Sequence, residues 1–169
     1  MLIVGSVLTR FFLFPNRYHL PFYSIISARW KDGKTNTVQT IADSLLVVCG
    51  KGNNGGDGFV IARAAAKDGW NVTALLAEGE PKTTDAITNF ERLHSLSVNI
   101  CADCTVLETQ HFDVVVDALY GTGFHGALRP SGLAACGLMN RLHKSGAFVL
   151  AVDLPSGINT DTGEVAKGA

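Results

Sequence analysis

With 169 residues, 47% of them apolar, and a net charge of −1, the chain has room for one domain with a sizeable core. No basic patch or charge run points to nucleic acid or to a membrane surface. Cys49 and Cys136 suit small buried thiols, and Cys101-Ala-Asp-Cys104 is a lone C-x-x-C without the second ligand pair that zinc requires, so the cysteines read as reduced and cytosolic.

Residues 1–44 read as an atypical, poorly defined leader. Met1 to Lys31 contains Arg10, Arg17, Arg29 and Lys31 but no acid, with an apolar cluster at Phe11-Phe12-Leu13-Phe14. Positive charge follows the first apolar run where a secretory signal would place it ahead, and no stretch is long enough to span a bilayer. An organelle transit peptide is the alternative to a cytoplasmic protein with an unusual start. Lys31 to Asn36 is a polar loop. From Leu45 the pattern becomes regular. Leu45–Cys49 is the first strand, followed by a dense glycine turn, a helix over Asp57–Lys67 and Gly69 at its end. Asn71–Ala77 is the second strand. Thr84–Ser95 is a helix with Ala86, Ile87, Phe90 and Leu93 on one face, and Ser97–Cys101 a short third strand. Phe112–Asp117 is an apolar fourth strand, Ser131–Ser145 a helix ended by Gly146, and Ala147–Asp153 the fifth strand. This alternation predicts an α/β protein: a Rossmann-like, doubly wound, mostly parallel sheet with helices on both faces, a three-layer αβα arrangement.

In such a sheet ligands bind beyond the carboxyl ends of the strands, and three polar motifs fall on that edge. They are Asn53-Asn54-Gly55-Gly56-Asp57, Asp117-Ala118-Leu119-Tyr120-Gly121-Thr122-Gly123-Phe124-His125-Gly126, and Asp153-Leu154-Pro155-Ser156-Gly157. Taken singly each has an ordinary structural explanation, since an Asp closing a strand caps the next turn and glycine pairs make tight turns. Their coincidence on one edge is what points to a site. Gly50, Gly52 and Gly55 satisfy G-x-G-x-x-G, and glycine loops donate amides to phosphate without Lys or Arg. Two amides and a carboxylate in that loop exceed what a phosphate cradle needs. The oxygens of Asn54, Asp117 and Ser156, with loop carbonyls, form a donor set for a hard cation, monovalent or divalent. Asp153 remains as a carboxylate able to act as general acid or base.

Gly-Lys-Gly-Asn-Asn-Gly-Gly-Asp-Gly, Val-Val-Asp-Ala-Leu-Tyr-Gly-Thr-Gly and Ala-Val-Asp-Leu-Pro-Ser-Gly-Ile-Asn-Thr-Asp-Thr-Gly together resemble the NAD(P)H-hydrate epimerase family, the YjeF N-terminal domain, over Leu45 to Gly163. The resemblance implies an isomerase of metabolite repair that interconverts the R and S forms of hydrated NADH and NADPH. It implies that Asn53, Asn54, Gly55, Gly56, Asp57, Gly121, Thr122, Gly123, Phe124, His125, Gly126, Ala127 and Asp153 bind the substrate NAD(P)HX. It also implies that Asn54, Asp117 and Ser156 bind K+. Inversion at the hydroxyl-bearing ring carbon needs a proton donor and acceptor, with Asp153 the candidate. No redox step is required. A homodimer and a functional link to an ADP- or ATP-dependent NAD(P)HX dehydratase accompany the resemblance. Residues 45–169 are then the YjeF N-terminal-like domain, expected to be truncated at its C-terminus, with residues 1–44 departing from the family. Two rivals stand beside this reading. One is an NAD(P)-dependent oxidoreductase with Glu78 as its ribose-binding acid, the other a non-catalytic nucleotide-binding homologue.

Overall fold

The computed structural model describes residues 2–3 and 43–169. The apolar cluster, the polar loop and the rest of the leader expected before residue 43 lie outside the described residues. Leu2–Ile3 forms a two-residue strand, β1, which pairs in parallel with Leu150 and Ala151. The remaining strands are β2 (Ser44–Cys49), β3 (Asn71–Leu76), β4 (Val98–Cys101), β5 (Val114–Ala118) and β6 (Phe148–Ala151). Among the described residues three α-helices connect them: α1 (Asn53–Lys67), α2 (Thr84–Glu91) and α3 (Pro130–Lys144). All the strand pairings are parallel, in the order β1-β6-β5-β2-β3-β4. Among the described residues no helix is long and apolar enough to cross a membrane.

The period-two alternation of a strand sends neighbouring residues to opposite faces, and both faces here are covered. Leu45, Val47 and Cys49 of β2 share one core with Phe59, Ala62 and Ala65 of α1 and Ala86 of α2. Leu46 and Val48 share the other with Ala135, Leu138 and Met139 of α3. Helices therefore lie on both faces, as the sequence pattern requires. Phe59 is fully buried and its ring meets Phe90 at 5.2 Å, joining α1 to α2. Burying one such ring contributes about 1.5–3 kcal/mol. Ile87, predicted on the inner face of α2, is 39% exposed, because the regular helix ends at Glu91 and turns carry the chain on to the buried Leu93.

One boundary matters for function. The sequence places the start of the first helix at Asp57, whereas α1 begins at Asn53. Asn-Asn-Gly-Gly is thus the first turn of a helix and not part of an open loop. A Cβ on Gly55 would lie 1.8 Å from the Gly50 carbonyl oxygen, and one on Gly56 would lie 3.1 Å from the Ala86 Cα. Side chains there would push the helix off the strand-end turn and off α2. Gly55→Ala is therefore expected to cost about 3 kcal/mol or more, read as a lower urea midpoint, because backbone must move to admit the methyl. Gly137→Ala, inside α3 with its nearest neighbour at an ordinary 3.5 Å, is expected to gain about 0.5–1 kcal/mol by the same measurement.

Candidate active site

Chain order reverses between β2 and β5, and a crevice of about 690 Å³ lies at the strands' carboxyl ends. Loops from four strands wall it. Lys51 to Asn54 and then Asp57 follow β2, and Glu78 follows β3. The run from Leu119 to His125, with Ala127 and Arg129, follows β5, while Val152 and Asp153 follow β6. The three polar motifs separated in sequence therefore meet. Asn53, Asn54, Asp57, Gly121, Thr122, Gly123, Phe124, His125, Ala127 and Asp153 line the crevice. Gly55, Gly56 and Gly126 do not. The first two are buried in α1, and Gly126 makes the turn beside Ala127 with φ 82°.

The tightest convergence is around Gly121. A Cβ there would stand 2.9 Å from Asp153 Oδ2 and 3.4 Å from Asn54 Oδ1, so those two side chains flank one glycine. The Thr122 amide donates to Asp153 Oδ2 at 2.9 Å, and the Thr160 hydroxyl donates to the Thr122 carbonyl at 2.7 Å. Both bonds fix the loop after β5. Asn54 Nδ2 is buried and has no acceptor among the described residues, so a donor faces the crevice wall unsatisfied. Asp57, half-buried on the first turns of α1, has its carboxyl raised above the ordinary range, first by loss of solvent and then by the charge of Asp153. Two carboxyl groups thus line one crevice, and that setting disfavours the charged form of Asp57.

Asp117 and Ser156 lie behind this wall and do not line the crevice. Asp117 is 2% exposed and forms no salt bridge among the described residues. Its Oδ1 accepts the Ser156 hydroxyl at 2.6 Å and the Leu119 amide at 3.2 Å, and its Oδ2 accepts the Ser156 amide at 2.8 Å. Ser156 Oγ in turn accepts the Tyr120 amide at 2.9 Å. Burial raises the Asp117 carboxyl, while the bonds from Ser156 and Leu119 work in the opposite direction. It also helps push the nearby Cys136 thiol, raised mainly by burial, up to about 12. A buried carboxylate lacking a cationic partner among the described residues, beside a hydroxyl with a spare lone pair, fits a hard cation in its donor chemistry. The structure brings Asp117 and Ser156 together directly, with Asn54 on the crevice side.

Four crevice residues with polar side chains lie outside the sequence-predicted site: Lys51, Glu78, Tyr120 and Arg129. Glu78, its side chain 5% exposed, accepts the Tyr120 hydroxyl at 2.8 Å and lies 4.0 Å from Lys51 Nζ and 3.8 Å from Arg129 Nη1. Burial, then the bond and charge of Glu78, push the Tyr120 hydroxyl well above its ordinary range, so it remains a donor. Phe124 lies against the same ring, 5.0 Å between centroids. Glu78 entered the sequence reading only under the oxidoreductase alternative. Lys51 and Arg129 are isolated cations with no spacing signal between them.

A sequence model of the family described as YjeF-related protein N-terminus matches residues 22–169, taking in part of the stretch set aside as a leader. A bifunctional NAD(P)H-hydrate repair enzyme Nnr from Moorella thermoacetica is 40% identical over 130 residues, covering 70% of this chain and 23% of that protein. One from Coxiella burnetii is 34% identical over 151 residues, with shares of 85% and 27%. An NAD(P)H-hydrate epimerase from Limosilactobacillus reuteri is 38% identical over 127 residues, with shares of 72% and 55%. The chain therefore spans only part of each relative's length. The crystal structure of the yeast protein YNL200c superposes with a TM-score of 0.64 at 22% identity, covering 87% of this chain and 62% of that one, which shows a shared fold.

The raised Asp57 carboxyl, shifted first by loss of solvent and then by Asp153, has a stability consequence. A carboxyl whose folded pKa is raised destabilises the folded chain above that pKa, and the penalty vanishes below the unfolded value near pH 4. Asp57→Asn is expected to raise the thermal midpoint at pH 8, with the gain closing by about pH 4. An unchanged or lower midpoint at pH 8 would contradict this account of the pair.

Proposed function

Since the chain belongs to the family of YjeF-related protein N-termini, we propose that it is an NAD(P)H-hydrate epimerase, interconverting the R and S forms of hydrated NADH and NADPH. The observation that carries the reading is the pair of carboxyl groups, Asp57 and Asp153, on one crevice beside Asn54. The names of the relatives from Limosilactobacillus and Moorella support it. The reacting carbon bears a hydroxyl and the ring nitrogen. Protonated Asp57 donates to the hydroxyl, which leaves as water as the nitrogen lone pair forms a cationic iminium. Water then adds to the opposite face, giving its proton to Asp153. The inverted product forms with one proton moved from one carboxyl to the other, and solvent exchange restores the pair. Neither step takes or gives electrons, so the dinucleotide is substrate and not redox cofactor.

Asn54, Asp117 and Ser156 would hold K+, which supplies positive charge against the buried Asp117 carboxylate. The proposal includes a link to an ADP- or ATP-dependent dehydratase acting on the same hydrate, in keeping with the word bifunctional in the relatives' names. It also includes a cytoplasmic location and a homodimer.

Purified protein supplied with R-NADHX or R-NADPHX is expected to accumulate the S form faster than a protein-free control, followed by chromatography. Asp153→Asn is expected to lower kcat at least about 100-fold, the scale of lost general acid–base catalysis. No conversion above the control by the unmutated protein would reject the function, and an unchanged rate in Asp153→Asn would remove that residue from its role. A cation that binds only the folded chain raises its midpoint by mass action. Melts in KCl against LiCl of equal ionic strength are expected to show a higher midpoint in potassium, and Asp117→Asn is expected to erase the difference.

A further inference from the structure

Two chemically different sets of side chains line the crevice, and the acid–base pair uses one of them. Asp153 follows β6 and Glu78 follows β3. Those strands are separated by β5 and β2, three inter-strand spacings or about 14 Å. Around Glu78 the balance of charge is reversed, with one carboxylate between two cations. Its short bond goes to the Tyr120 hydroxyl at 2.8 Å, whereas Lys51 at 4.0 Å and Arg129 at 3.8 Å are beyond charge-assisted hydrogen-bond length, about 2.7–2.9 Å. Neither cation makes a hydrogen bond among the described residues, so their N–H donors remain available. Arg129 is 62% exposed in its side chain and Lys51 28%, so both heads reach solvent while Glu78 beneath them does not. The arrangement is sterically specific, because a Cβ on Gly132 would lie 2.4 Å from the Tyr120 hydroxyl oxygen. A side chain at that position of α3 would displace the ring from where it now reaches Glu78.

A buried carboxylate that gathers two under-bonded cations at a crevice wall prepares a place for an anion. We propose that Lys51 and Arg129, set in place by Glu78 and Tyr120, hold the diphosphate of the dinucleotide and so turn its hydroxylated ring toward Asp57 and Asp153. This rests on the epimerase reading for the identity of the ligand, though not for the presence of the anion subsite. Charge fixes the orientation: a diphosphate beside Asp57 and Asp153 would face two carboxyls, and beside Lys51 and Arg129 it meets two cations. A ribose separates ring from diphosphate in any such dinucleotide, in keeping with the separation of the strands that precede Asp153 and Glu78. Tyr120 and Phe124 add apolar ring surface to the crevice wall.

The test titrates inorganic pyrophosphate into the unmutated protein, Lys51→Ala, Arg129→Ala and the double variant by calorimetry. In parallel, KM and kcat for R-NADHX are measured. Both side chains are partly exposed and their truncation leaves the core intact. Arg141→Ala, which removes an exposed ion pair with Glu108 outside the crevice, serves as control. Each single variant is expected to weaken pyrophosphate about tenfold or more and to raise KM by a similar factor, with kcat little changed. The double variant is expected to lose more, and the control nothing. Raising the salt is expected to weaken binding to the unmutated protein more than to the double variant. Pyrophosphate binding equally to the unmutated protein and the double variant, or not at all to the unmutated protein, would overturn the subsite. Pyrophosphate binding that the variants lose, in a protein with no epimerisation, would reject the epimerase reading and leave the subsite standing.

Discussion

The crevice depends on a carboxylate that solvent barely reaches. Asp117 closes β5 at 2% exposure and takes three hydrogen bonds, from the hydroxyl and amide of Ser156 and the amide of Leu119. Ser156 passes the connection back to the Tyr120 amide. One side chain therefore ties the loop after β5 to the loop after β6, and those loops carry Gly121, Thr122 and Asp153. Removing an ionisable group from water is costly unless its lone pairs are satisfied, so the polar knot stabilises one loop arrangement and penalises others. The same desolvation leaves Asp117 calling for positive charge, which connects a structural role to the proposed potassium.

Charge within the crevice is segregated, and the fold achieves this with strand order. Asp57 and Asp153 come from α1 and the loop after β6, and loss of solvent, then the charge of Asp153, raises the Asp57 carboxyl. Lys51, Glu78 and Arg129 come from the loops after β2 and β3 and from the start of α3. A substrate with a reactive ring at one end and phosphates along its length is matched by such an arrangement without any change of the sheet. Close backbone approach sets the scale of the whole device. Gly55 admits the Gly50 backbone where a methyl group would exclude it, and methyls at Gly121 and Gly132 would press on the side chains of Asp153 and Tyr120.

Much of this was readable in the residues. Alternation of apolar strands with amphipathic segments fixes a parallel, doubly wound sheet, because strands buried on both faces must be apolar throughout and right-handed crossovers put helices between them. The places where the three polar motifs end their strands follow from that alternation, so Asn54, Asp57, Asp117, Asp153 and Ser156 could be assigned to one edge from spacing alone. Where α1 begins could not, since the helix start at Asn53 is decided by Gly55 and Gly56 packing on Gly50 and on Ala86 of α2. Local propensity disfavours glycine in helices and so favours the later start at Asp57.

Sequence by itself determined the layers, the edge on which chemistry sits and the residue types available there, because these depend on periodicity along the chain. Tertiary structure alone decided that Asp57 faces Asp153, that Asp117 and Ser156 lie behind the wall and not in it, and that Glu78 gathers Tyr120, Lys51 and Arg129. Those are interactions between residues 27 to 96 positions apart, set by strand order and by how closely loops approach, and neither is encoded in local spacing.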